Sequence, residues 1–174
     1  MIKKILCPTD GSEHADKAID LASDLAAKYG AELVLMHVLM SSAAPEDLKR
    51  FAEVEGLAKD VKSEMERLLD LQRSVLAASA PVPSRGVSRE VVENIGKHAL
   101  EQARQRAESK GVKKVTERID DGDPGKRIVH AAESEGVDTI VMGSRGLGDL
   151  KGLFLGSVSH YVASRAHCTC ITVK

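Results

Sequence analysis

Short apolar runs alternate with helical patterns along most of this chain, and that alternation restricts the fold more than any other feature. A strand–helix–strand order points to parallel strands joined by crossover helices. Ile2 to Pro8 is a short apolar strand ending in the turn Pro8-Thr9-Asp10-Gly11, and Ser12 can cap the helix that follows. Ala15, Ala18, Ile19, Ala22, Leu25 and Ala26 recur at helical spacing until Gly30 stops them. Glu32 to Leu39, centred on LVLMHV, is a second strand.

The same order resumes further on. Ser88 to Lys110 has a helical pattern closed by Gly111, and Val112 to Ile119 has a strand pattern. Asp123-Pro124 places an N-cap acid before proline at the first helical position, and that helix runs to Gly136. Asp138 to Met142, DTIVM, is a continuous apolar run of the kind buried on both faces of a sheet. Ser157 to Ala166 is expected to be helical, and Cys168 to Val173 closes the sheet. Five strands with helices between them make a doubly wound α/β sheet with helices on both faces.

The middle breaks this order. From Pro45 to about Ala78 a helical pattern continues with no strand after it, and Phe51, Val54, Ala58, Val61, Met65, Leu68, Gln72 and Val75 form a heptad-like stripe. ASAPVPSRG then ends it. One or two helices packed on the domain would satisfy the pattern, and so would an arm that pairs with another subunit.

At 174 residues the chain fits one domain, residues 1–174, with a helical insertion at about 41–87. A net charge of −1 gives no reason to expect nucleic acid or an anionic membrane as partner. Two tyrosines and two phenylalanines are the only aromatics, which argues against stacking platforms for single-stranded nucleic acid. No segment approaches the roughly 20 apolar residues of a membrane helix, and the first residues are too short a run for a signal-peptide core. Cytoplasm is the expected compartment. Cys7, Cys168 and Cys170 suit it as buried thiols, with metal or redox chemistry the alternative.

In an open α/β sheet, ligands bind beyond the carboxyl ends of the strands, where strand order reverses. Three segments would meet there: Pro8-Thr9-Asp10, Val38-Leu39-Met40, and Gly143-Ser144-Arg145-Gly146. An acid, an apolar shelf and a glycine loop are the parts a nucleotide site needs. Glycine lets the backbone N–H groups approach phosphate oxygens closely. A helix starting near Ser157 adds its positive end, and Ser157 and Ser159 add hydroxyls. Asp10 could hold a ribose hydroxyl or a magnesium ion carried in by the phosphates. Arg145, with Lys151, could also touch phosphate. Each part also has a structural reading: Gly143 as a strand end, Ser157 as an N-cap, Asp10 as a turn residue, Arg145 and Lys151 as solvated loop charges.

Familiar catalytic patterns fail. GDPGKR at 122–127 lacks the spacer of a P-loop and the Ser or Thr after lysine, and the dinucleotide fingerprint would need glycine where Lys151 stands. No strand–turn–helix carries a Gly-x-Ser-x-Gly nucleophile. The six histidines are scattered, and His37, inside an apolar strand, is expected to be a core or pocket-wall residue.

The spacing Gly143-x2-Gly146-x9-Gly156-Ser157 fits the pattern G-x2-G-x9-G-[S/T], and the chain thereby resembles the ATP-binding branch of the universal stress protein family. The similarity extends to ILCPTDGSEHADKAIDLASDLA, to LVLMHV and to the C-terminal segment from DTIVM onward. The resemblance implies a Rossmann-like fold of the adenine nucleotide alpha hydrolase kind, a five-stranded parallel sheet, usually dimeric, with ATP at the carboxyl edge. It implies phosphate contacts from Gly143, Gly146, Gly156 and Ser157 and from the Val158 and Ser159 backbone. Asp10 would lie near ribose or metal, Pro8, Thr9 and Val38 would line the adenine pocket, and Met142 would stand just before the loop. The strand 168–173 resembles the family's dimer-forming edge. It reads CTCITV where a version such as CPVLVV is typical, and proline would deny that edge one backbone donor.

Two functions follow. One is a nucleotide-binding regulatory protein of the stress response that binds ATP with magnesium and alters its contacts with a protein partner. The other is a slow ATP hydrolase or self-phosphorylating enzyme using Ser157 or another loop hydroxyl. Other adenine nucleotides, cyclic AMP among them, suit the same loop, and a scaffold built on the 45–78 helix is a third possibility.

Overall fold

The strand β1 (Lys4–Pro8) lies at the centre of a five-stranded parallel sheet, and this position explains its unbroken apolar run. Ile5, Leu6 and Cys7 are all fully buried because helices cover both faces. The structure is a computed structural model and describes residues 2–39, 89–146 and 155–174. The expected insertion at 41–87 and the stripe from Phe51 to Val75 lie outside the described residues.

From β1 the chain runs through α1 (Glu13–Tyr29) to β2 (Glu32–Leu39), and later through α2 (Arg89–Ser109) to β3 (Val115–Asp121). It then passes through α3 (Pro124–Glu135) to β4 (Thr139–Gly143), and through α4 (Ser157–Arg165) to β5 (Thr169–Val173). The strand order is β3-β2-β1-β4-β5. β1 is paired on one side with β2, Ile5 against Leu33, and on the other with β4, Ile5 against Thr139.

Side-chain alternation sends each strand's residues to two separate cores. Ile5, Cys7, Leu33, Leu35 and Val141 pack with Ala18, Ile19 and Ala22 of α1 and Leu100 and Ala103 of α2. Leu6, Val34, Met36, Ile140 and Met142 pack with Ile128 and Ala131 of α3 and Val162 of α4. Covering the two faces with different helices is what a strand order that reverses beside β1 requires. Burial pushes the Cys7 thiol up, out of reach of thiolate chemistry at neutral pH.

The local signals act as the sequence implies. Ser12 accepts a hydrogen bond from the Ala15 N–H at 3.3 Å, and Gly30, at φ 65°, ends α1 in the left-handed region. Asp123 caps α3 by accepting from the Lys126 N–H at 2.9 Å, with Pro124 next. The third strand differs: it starts at Val115 rather than Val112 and continues to Asp121. Val112 is buried as part of the α2 stop, its N–H donating to Ala107 O at 3.2 Å. β3 runs on because Asp120 and Asp121 pair with Val38 and Leu39.

At the open edge, Thr169 stands where proline is typical of the resembling family. Its N–H points inward, donating to Asp138 O at 3.2 Å, so the change adds a bond toward β4 rather than a donor on the outer edge. Cys168 and Cys170 both pack toward the second core, as their spacing implies. Among the described residues no helix is long and apolar enough to cross a membrane.

Candidate functional site

The order reversal between β1 and β4 sends their following loops to opposite faces, α1 on one and α4 on the other. The carboxyl ends of these two strands are therefore where a crevice opens. Pro8 ends β1 and Gly143 ends β4.

The loop after β1 is held by short-range bonds. The Thr9 N–H donates to Met36 O at 2.8 Å, and its hydroxyl oxygen accepts from the Gly11 N–H at 3.0 Å. The Asp10 carboxylate accepts from the Ser12 N–H at 3.1 Å, and Gly11 takes φ 81°, which only glycine adopts freely. Asp10 thus does perform the turn role, yet its second oxygen faces Gly146 across the crevice.

The His37 ring supports this loop from β2. Its Nδ1 lies 2.9 Å from the Thr9 carbonyl oxygen, so Nδ1 carries the proton and donates. His37 is buried; burial pushes its pKa down, against the opposing effects of the Thr9 bond and the Asp10 charge. Val38, next along β2, is half-buried and leans toward the second core.

The loop after β4 is organised by Ser144, a residue the sequence offered no reason to single out. It is buried, and its N–H donates to Val173 O at 2.6 Å, tying the loop to the end of β5. Its carbonyl accepts from the Gly156 N–H at 2.8 Å and from the Ser159 hydroxyl at 2.7 Å. Its own hydroxyl meets His14 Nδ1 at 3.1 Å, at the start of α1. One serine thus joins both ends of the glycine loop to α1 and β5. Buried side chains between glycines leave no sequence trace of their partners.

Met40, named with Val38 and Leu39, lies outside the described residues; the other site residues named from the sequence and described have these places. Met142 is buried in the second core directly before the loop. Gly143 has no space for a side chain, because a Cβ there would stand 2.9 Å from Arg145 O and 3.0 Å from Ala15 N. Arg145 is half-buried within the loop, with its Cα 3.5 Å from where a Cβ on Gly156 would lie. Gly156 caps α4 without a side-chain bond, and Ser157 is the first helical residue rather than the cap. The N–H groups of Ser157, Val158 and Ser159 precede the first intrahelical bond, His160 N–H to Gly156 O at 2.9 Å. The Ser159 hydroxyl turns inward to Ser144, so it is the backbone of Ser159, not its side chain, that stands at the helix end. Gly148, Lys151 and Gly152 lie outside the described residues. Among the described residues no three metal-ligating side chains converge.

A model of the universal stress protein family matches residues 1–174. The chain belongs to the universal stress protein family. The universal stress protein YxiE of Bacillus subtilis is 31% identical over 176 residues, which cover 100% of each chain. The solved structure of MJ0577, a universal stress protein of Methanocaldococcus jannaschii, has a TM-score of 0.66 at 29% identity and covers 100% of this chain and 96% of that one. A universal stress protein solved in complex with cAMP shares the fold, with a TM-score of 0.64 at 21% identity, and covers 99% of this chain and 97% of that one. The five-stranded parallel sheet with helices on both faces is the fold of these family members.

Proposed function

We propose that this chain is an ATP-binding universal stress protein, a regulator of the stress response whose nucleotide occupancy alters its contacts with a protein partner in the cytoplasm. Gly156 carries the reading. Its φ is −69°, which any residue adopts, and a Cβ there would meet nothing closer than 3.5 Å among the described residues. The packing of the described residues therefore does not require glycine at 156. A group approaching the adjacent N–H donors of Ser157 and Val158 would, since a side chain would occupy its path. An anion belongs at such a helix end, and a phosphate would complete the donors that the helix leaves open.

The other parts fit an adenine nucleotide. Gly143 and Gly146 keep the loop close to the crevice, and Pro8, Thr9 and Val38 offer a wall on the far side of β1. Among the described residues Asp10 is the carboxylate set against Gly146, suited to a ribose hydroxyl or to magnesium bound through the phosphates. A family member of the same fold that holds cAMP lends weight to an adenine ligand. In the same reading residues 1–174 form one domain with 41–87 as an insertion, and two copies pair along the outer edge of β5.

Calorimetric titration of ATP with magnesium into wild type and Gly156→Val tests the reading, alongside acid extraction of the purified protein to identify any bound nucleotide. Binding by wild type alone is expected; no binding by wild type at millimolar ATP would overturn it. The enzyme reading rests on the exposed Ser157 at the start of α4. It predicts phosphate release above the Gly156→Val control, and equal traces remove it.

A further inference from the structure

Gly96 sits in the interior of α2, where glycine weakens a helix and the ordinary helical backbone does not ask for it. Its reason lies in β2. A Cβ on residue 96 would stand 2.8 Å from His37 Cδ2, 3.1 Å from Leu39 Cδ2 and 3.4 Å from His37 Nε2. The imidazole is therefore seated against the helix backbone, and the missing side chain is the space it uses.

What the ring does in that seat is directed at the loop after β1. Thr9 is attached to β2 twice, through its N–H to Met36 O at 2.8 Å and through its carbonyl to His37 Nδ1 at 2.9 Å. Its hydroxyl oxygen accepts from Gly11, and Asp10 accepts from Ser12. Releasing the carbonyl would free the peptide unit that joins Thr9 to Asp10. The direction of the Asp10 side chain follows from that peptide plane.

We infer that His37, seated on Gly96, is a positioning residue for the nucleotide loop: its Nδ1–H holds the Thr9 carbonyl and so fixes where Asp10 faces the glycine loop of β4. The functional half of this inference rests on the nucleotide reading; the structural half does not. A phenylalanine at 37 keeps an aromatic ring but loses the donor. An asparagine can place its amide N–H close to the Nδ1 position, so it should restore the bond without the ring.

The test compares wild type, His37→Phe and His37→Asn as full chains, with two measurements on each. Amide exchange at Gly11 and Ser12 reports the loop without any ligand, and calorimetry with ATP and magnesium reports binding. His37→Phe is expected to speed exchange at both amides and to weaken ATP binding by about two- to tenfold each, the range of one lost hydrogen bond. His37→Asn is expected to recover most of both. Unchanged exchange in His37→Phe overturns the inference whatever ATP does. Faster exchange with unchanged ATP affinity also overturns it, since the loop would then not serve the site. If exchange responds but wild type binds no ATP, the nucleotide reading fails and the positioning of the loop by His37 stands. Should His37→Phe not fold, Gly96→Ala displaces the ring from the other side and is expected to move both readouts in the same direction.

Discussion

Gly146 and Asp10 lie face to face, although 136 positions separate them in the chain: a Cβ on Gly146 would overlap the Asp10 carboxylate. The clash is with the far end of a side chain, not with backbone. Gly146→Ala is therefore expected to leave the unfolding midpoint nearly unchanged, a change of about 0.5 kcal/mol or less. ATP binding should weaken more with magnesium present than in EDTA, because the displaced group is the carboxylate. Equal weakening under both conditions would separate Asp10 from the metal.

The two glycines at the ends of the loop differ in kind, and their alanine variants should show it. Gly143 faces backbone atoms at 2.9–3.0 Å that cannot move aside, so Gly143→Ala is expected to cost about 1–3 kcal/mol in a urea titration. Gly156 has space and an ordinary φ. Gly156→Ala should cost about 1 kcal/mol or less while abolishing ATP binding. Stability losses in the reverse order would contradict the packing described for this loop.

At the opposite end of the sheet, Asp138 is held by the N–H groups of Lys3 at 2.6 Å and Lys4 at 2.8 Å. These backbone bonds, with help from the positive N-terminus and Lys3, keep its carboxyl below the usual aspartate value of about 3.9. A pKa lower in the folded state means stability that is present above the unfolded value and lost as pH falls through the folded one. Asp138→Asn should be less stable than wild type at pH 7, with the difference shrinking below about pH 4. Urea midpoints between pH 7 and 2 measure this, and parallel curves would show that the bonds are not selective for the carboxylate.

Thr169 N–H and Val173 O both turn toward β4, through Asp138 O at 3.2 Å and the Ser144 N–H at 2.6 Å. By the two-residue period of a strand, the N–H groups of Cys170 and Thr172 face outward. If two copies pair along this edge, Thr172→Pro removes an outward donor without touching the β4 ladder. Sedimentation should then show a wild-type dimer and a weakened or monomeric variant. An unchanged dimer would place the interface elsewhere.

Much of this molecule was legible along the chain because its signals are local. Ser12, Gly30, Asp123 and Gly136 act within a few residues of themselves, and the apolar runs of β1, β2 and β4 declare burial on both faces wherever they come to lie. The glycine spacing from Gly143 to Gly156 likewise belonged to the sequence alone, and with it the family. Val112 misled as a strand start because a buried valine that seals a helix end and a buried valine in a strand have the same composition. Only the tertiary structure decided that Ser144 ties the loop to His14, Val173 and Ser159, that the Ser159 hydroxyl faces inward, and that Thr169 donates to β4. It alone set the His37 ring on Gly96 and brought Asp10 to Gly146. These relationships join residues far apart in the chain through single hydrogen bonds or single van der Waals contacts, and such pairings exist only once the sheet order β3-β2-β1-β4-β5 has brought the strand ends together.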